Sequence, residues 1–144
     1  MSFVKGIAED EKHVLMLLGT LIEEVRDAFA GEDWQGLRQS HFRVITLVPD
    51  EGISVTDLAE RVRMTKQGCG QFVTQLVESG HLVTVADPAD RRLRVVRRTP
   101  LGTRTVRKVA RRVARVEDRW RAEVGERRYR TFRAVLDELA TREA

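Results

Sequence analysis

Residues 65–79 form a helix-length segment with Cys69, Phe72, Val73, Leu76 and Val77 at helical spacing, and 100° per residue places Gln67, Gln71, Thr74 and Glu78 on the opposite face. A glutamine amide carries both an acceptor and donors, so it can pair bidentately with adenine in the major groove of DNA. Gln67 and Gln71 are the candidates for base edges, with Thr74 beside them. Thr65 and Lys66 stand at the positively polarised start of the same helix, which suits phosphates. Gly80 then lies where a helix cap belongs. Residues 81–99 follow, with two β-prone segments, 82–86 and 93–97, around a polar loop holding Pro88 and the pair Arg91 and Arg92. That reads as a β-hairpin with a basic tip, and Arg91, Arg92 and Arg94 are its candidates for DNA contact.

Other chemistries have less to stand on. A single cysteine, Cys69, excludes an internal disulfide and a multi-cysteine zinc site, and His13, His41 and His81 are not spaced as metal ligands. No P-loop, dinucleotide fingerprint or nucleophile elbow occurs, so neither an enzyme, a cofactor nor a metal is expected. Cys69 lies on the apolar stripe of its helix, which makes it a packing residue, and no second cysteine is present to resolve an oxidised thiol.

The charge is uneven along the chain. The net charge is +4, yet residues 1–60 hold twelve acidic and five basic side chains while residues 61–144 hold ten acidic and twenty-one basic. The positive field therefore coincides with the basic hairpin, as phosphate neutralisation requires. The composition, 42% hydrophobic and 33% charged, is that of a soluble globular domain, without an apolar run long enough to cross a membrane. The N-terminal stretch is acidic after Lys5 and lacks the start of a secretory signal, so a cytoplasmic location is expected.

Several elements must position these residues. A helix is expected over 9–30, with Val14, Leu15, Leu17, Leu18, Leu21, Ile22, Val25 and Phe29 giving a wide apolar face. A second is expected over 34–47, stopped by Pro49 and Gly52, with Leu37, His41, Val44, Ile45 and Val48 as its stripe. Ser54 is placed to cap a short helix over 55–62 that buries Val55, Leu58, Ala59 and Val62. A turn at Arg63 and Met64 then leads to Thr65. After the hairpin, Thr99 caps a long helix opened by Pro100, whose Val106, Val109, Val113, Val116 and Trp120 form a coiled-coil-like seam. Gly125 breaks it, and a last helix presents Tyr129, Phe132, Leu136 and Leu139. Within the 65–79 helix, Gly68 and Gly70 cost about 1 kcal/mol each relative to alanine. Close approach of DNA and crowding by a neighbouring helix are both open as reasons.

Helix-turn-helix followed by the tip Asp87-Pro88-Ala89-Asp90-Arg91-Arg92, a strand and Thr99-Pro100-Leu101-Gly102 resembles the MarR family of bacterial transcription regulators. The resemblance implies a mainly α winged helix-turn-helix with a small β-hairpin wing, working as a dimer. It implies one domain over 1–144, with dimerisation helices at about 1–34 and 100–144 and a DNA-binding lobe at about 35–99. In the wing it matches Asp90 and Arg92 to an Asp-x-Arg pair whose aspartate orients an arginine into the minor groove, with Arg91 and Arg94 on phosphates. It further implies a homodimer on a pseudo-palindromic operator in double-stranded DNA, associated with the nucleoid, and a repressor released by a small-molecule effector. His41, with Trp34 and Arg43, is the candidate to meet that effector. Three alternatives stand beside this reading. One is a winged-helix module that docks proteins without binding DNA, another a thiol-based redox-sensing regulator using Cys69, and the third an enzyme with Cys69 as nucleophile.

Overall fold

The computed structural model describes residues 4–143. In chain order its elements are α1 (Val14–Asp27), α2 (Gln39–Leu47), α3 (Val55–Val62), α4 (Lys66–Glu78), β1 (Leu82–Ala86), β2 (Arg94–Arg98), α5 (Pro100–Val124) and α6 (Glu126–Thr141). A mainly α chain with a two-stranded wing is thus the fold observed. Asp33–Ala110 makes one unit, and the described residues on either side of it make a second, with α5 starting in the first and ending in the other.

The Asp33–Ala110 unit folds around short helices whose ends are set by local hydrogen bonds. Ser54 Oγ accepts the Asp57 N–H at 3.1 Å and so starts α3, which ends where Arg63 turns left-handed with φ 58°. Thr65 Oγ1 accepts the Gly68 N–H at 3.0 Å and starts α4. Each helix then buries one stripe: Val44, Ile45 and Val48 of α2, Leu58, Ala59 and Val62 of α3, and Cys69, Val73 and Leu76 of α4. Leu82 and Val96 of the hairpin close this core, with Val55 and Phe72 partly buried at its margin. Burying such a side chain contributes roughly 1.5–3 kcal/mol against leaving it in water.

The strands are antiparallel, from Leu82 opposite Arg98 to Ala86 opposite Arg94. Ile53 bridges to Val96 with hydrogen bonds of 3.0 and 2.7 Å, so the wing is held to the connection between α2 and α3. At its root, Thr99 Oγ1 donates to the Gly80 carbonyl at 2.5 Å and accepts the Gly102 N–H at 3.1 Å, while the Thr99 N–H reaches the His81 carbonyl at 3.2 Å. A side chain at position 102 would land inside the His81 carbonyl group, so only glycine fits this joint.

The second unit is built differently. Among its described residues only Val116 and Tyr129 bury apolar side chains. The Tyr129 hydroxyl donates to Glu117, Arg133 pairs with Glu117 at 2.5 Å, and the Arg121 guanidinium lies 4.7 Å from the Tyr129 ring centre. Trp120 Nε1–H donates to Glu24 at 2.6 Å. Leu21, Trp120, Val124, Tyr129 and Phe132 line an open apolar cavity.

Four boundaries and faces differ from the sequence expectations. The first helix starts at Val14 rather than Glu9, because His13 Nδ1 accepts the Met16 N–H at 3.3 Å and the acidic residues before it form turns. The second starts at Gln39 rather than Trp34. Asp33 Oδ1 accepts the Gln35 N–H at 2.8 Å, and Gln35 and Gly36 take φ of 55° and 77°, which a right-handed helix excludes. Strand β2 is shifted by one residue, and Val77 is more than a third exposed rather than buried with the stripe of α4.

Candidate nucleic-acid interface

The outer face of α4 is polar and open. Gln67, Gln71 and Thr74 are exposed and line a shallow groove with Gly70, Gln75 and Glu78. Thr65 spends its hydroxyl oxygen on the helix cap, leaving Lys66 as the exposed cation at the helix start. The Thr74 hydroxyl donates back to the Gly70 carbonyl at 3.0 Å. Crowding by a neighbouring helix explains neither glycine. A Cβ on Gly68 would meet only the capping Thr65 oxygen, at 3.0 Å, and one on Gly70 would meet nothing within 4 Å.

The wing tip is organised by its aspartates. Asp87 accepts the Ala89 N–H at 2.9 Å, and Asp90 accepts the Arg92 backbone N–H at 3.1 Å. Asp90 also grips the Arg92 side chain as a fork, with Nε to Oδ1 and Nη2 to Oδ2 both 3.1 Å. The guanidinium hydrogen bonds hold the Asp90 carboxyl below its ordinary range. Arg92 itself is 89% exposed, so its direction is fixed while its charge faces solvent. Arg91 and Arg94 are exposed alongside. Arg97 and Arg98 point elsewhere. Arg97 Nε donates to the Asp50 carbonyl at 3.2 Å, and Arg98 pairs with the Asp50 carboxylate at 3.1 Å. They brace the wing against the turn before Ile53.

The residues considered for an effector have separate partners. His41 is buried on α2, accepts the Arg38 N–H at Nδ1 (3.0 Å) and lies 2.9 Å from Gln75 Oε1 through Nε2. Trp34 packs on Phe42, with ring centres 4.9 Å apart, beneath the Lys108 ammonium at 4.3 Å. Arg43 is exposed on α2. Gln75 escaped the sequence reading because it sits beside the row of Gln67, Gln71 and Thr74 on the helical wheel, and its partner is 34 residues away. Cys69 is fully buried and burial raises its thiol pKa, which disfavours the thiolate that oxidant sensing or nucleophilic chemistry needs.

Comparison with known proteins shows what the Asp33–Ala110 unit and the whole fold are similar to. The model of the MarR family matches residues 35–93, the stretch from the turn before α2 to the wing tip. Over that stretch the chain is similar to the MarR family, and its fold is the winged helix of MarR-type structures. Its fold is shared with MarR-type structures across nearly the whole length. CouR from Rhodococcus jostii RHA1, solved bound to p-coumaroyl-CoA, aligns at TM-score 0.69 and 23% identity, covering 93% of this chain and 96% of its own. A MarR-family transcriptional regulator from Rhodococcus sp. RHA1 gives 0.70 and 21%, covering 96% and 100%. The PcaV regulator from Streptomyces coelicolor, in complex with its natural ligand, gives 0.67 and 22%, covering 94% and 96%. No curated protein matches.

Proposed function

We propose that this chain is a MarR-type DNA-binding transcription regulator, and the Asp90–Arg92 fork at the wing tip is the observation that carries the reading. A bidentate carboxylate holds the guanidinium of an otherwise exposed arginine at the end of a hairpin. The fork holds the guanidinium within the tip turn, and a narrow minor groove rewards an arginine already aimed. On this reading α4 enters the major groove with Gln67 and Gln71 on base edges and Thr74 beside them. Thr65, Lys66, Arg91 and Arg94 meet phosphates.

The exposed apolar residues of α1 and α6, among them Leu15, Ile22, Leu136 and Leu139, support a homodimer, since a second copy would cover them. Two-fold symmetry then matches a pseudo-palindromic operator. The ligands held by CouR and PcaV support control by a small molecule, which on this reading releases a repressor from DNA at the nucleoid, in the cytoplasm. Such a ligand would be met by Trp34 and Arg43, and by His41 only once it gives up Gln75.

The test is operator affinity over a salt series, with circular dichroism as the check on folding. Arg92→Ala should weaken binding and lower the salt slope by about one for each half-site. Asp90→Ala should mimic it in part by freeing the arginine. Gln71→Ala should instead cost about 1–3 kcal/mol and relax preference at one base pair per half-site. If Arg92→Ala binds like wild type at every salt concentration, the hairpin is no DNA-binding wing and a protein-docking module becomes the better account.

A further inference from the structure

Gln75 lines the groove on α4 with Gln67 and Gln71, but it is the one glutamine of the three whose amide is engaged inside the protein. Its Oε1 lies 2.9 Å from His41 Nε2. The tautomer of His41 is decided at the other ring nitrogen. Nδ1 sits 3.0 Å from the Arg38 backbone nitrogen, which can only donate, so Nδ1 accepts and Nε2 carries the proton. His41 Nε2–H therefore donates, and the oxygen of the Gln75 amide accepts. The ring is also pinned edge-on against Phe72, with centres 5.1 Å apart, and is 5% exposed. In a planar amide the NH2 group diverges from the oxygen by about 120°, so an oxygen turned onto His41 leaves the two N–H donors for the groove.

We infer that Gln75 reads DNA through its NH2 group and that His41 is the positioning residue that turns the amide this way; the inference rests on α4 being the major-groove element. A free glutamine recognises adenine by accepting from N6 while donating to N7. The Gln75 oxygen keeps a second lone pair but is turned onto His41 behind the helix, so the NH2 group and not the oxygen is what N6 would meet. That NH2 group matches guanine, whose major-groove edge presents N7 and O6, two acceptors side by side. Gln67 and Gln71 have no hydrogen-bond partner among the described residues and keep both halves of the amide. One helix face thus carries glutamines of two specificities, and a histidine behind the helix sets the difference.

Selection of bound sites from random duplexes, using the full chain as wild type, Gln75→Ala, Gln75→Lys and His41→Leu, tests this. Wild type should select a guanine at one position per half-site, and its exchange for adenine should cost roughly tenfold in affinity. Gln75→Ala should lose that discrimination and keep every other position. Gln75→Lys, which can only donate, should retain guanine, and His41→Leu, which frees the amide to turn, should shift the position to adenine. Should His41→Leu fail to fold by circular dichroism, the two Gln75 variants decide alone. An unchanged profile for Gln75→Ala, or adenine at the Gln75-dependent position in wild type, overturns the inference and leaves DNA binding intact. Failure of wild type to select any duplex overturns the DNA-binding reading and the inference with it.

Discussion

The two units of this chain use apolar side chains in opposite ways. The Asp33–Ala110 unit hides Ile45, Leu58, Leu76, Leu82 and Val96 almost completely, whereas the helices outside it leave Val14, Leu15, Ile22, Val135 and Leu139 largely in solvent. The amphipathic pattern is strong in both. What differs is whether the chain supplies the surface that completes it. A helix-turn-helix with a wing closes a core from its own residues, while long helices with a continuous seam need a further face to pack on. Exposure in the outer helices therefore does not follow from weak patterning, and the homodimer proposed above would cover it.

The largest effect should come from treating the two units alike. Leu58→Ala, at a fully buried site, should cost about 2–5 kcal/mol in urea unfolding. Leu136→Glu combined with Leu139→Glu should leave the monomer fold intact by circular dichroism and convert a dimer to a monomer in sedimentation. Its unfolding midpoint should also lose any dependence on protein concentration. Equal losses of unfolding free energy in both, with no change of assembly, would break the comparison.

A smaller effect tests where the self-sufficient unit looks outward. Gly70→Ala should raise stability by about 0.5–1 kcal/mol, since the new methyl meets nothing and helix propensity improves. The same change should weaken operator binding if DNA approaches α4 there. A variant both more stable and fully competent on DNA would show that this position is clear of the duplex.

The smallest effect concerns pH. His81 is buried with its Nδ1 2.7 Å from Ser79 Oγ, and burial, with His41 nearby, lowers its pKa below the ordinary value near 6.5. Below about pH 6.5 the unfolded chain takes up a proton that the folded ring refuses, so stability should fall as pH drops through that range and be level above it. His81→Gln should flatten this dependence in urea midpoints measured between about pH 5.5 and 7.5. An identical slope in the variant would assign the effect elsewhere.

What the sequence revealed and what it hid divide by the range of the interaction. The caps at Ser54 and Thr65 lie within three residues of their partners, and proline opens α5 by its own ring, so local chemistry was enough to read them, whereas the equally local Asp90–Arg92 pair was pointed to by the resemblance. Helical periodicity also marked the stripes of α2, α3 and α4. It failed at Trp34, where an aspartate-centred turn and two left-handed residues replace the helix that the apolar spacing suggested. It also could not say what His41 does, because a histidine on an apolar face looks the same whether it meets a ligand or Gln75. The resemblance pointed to α4 and the wing, but what sets Gln75 apart from Gln67 and Gln71 is a contact between α2 and α4.

The joint at Gly102 sets limits on how such a chain can diverge. Gln67 and Gln71 project from the helix surface with no side-chain partner among the described residues, so exchanging them carries little structural cost. Position 102 has no such latitude, because the atom in the way is a main-chain oxygen that no rotamer change can move aside. The outer face of α4 is therefore free to vary by single substitutions at Gln67 and Gln71, while the close seating of α5 on the root of the wing is not.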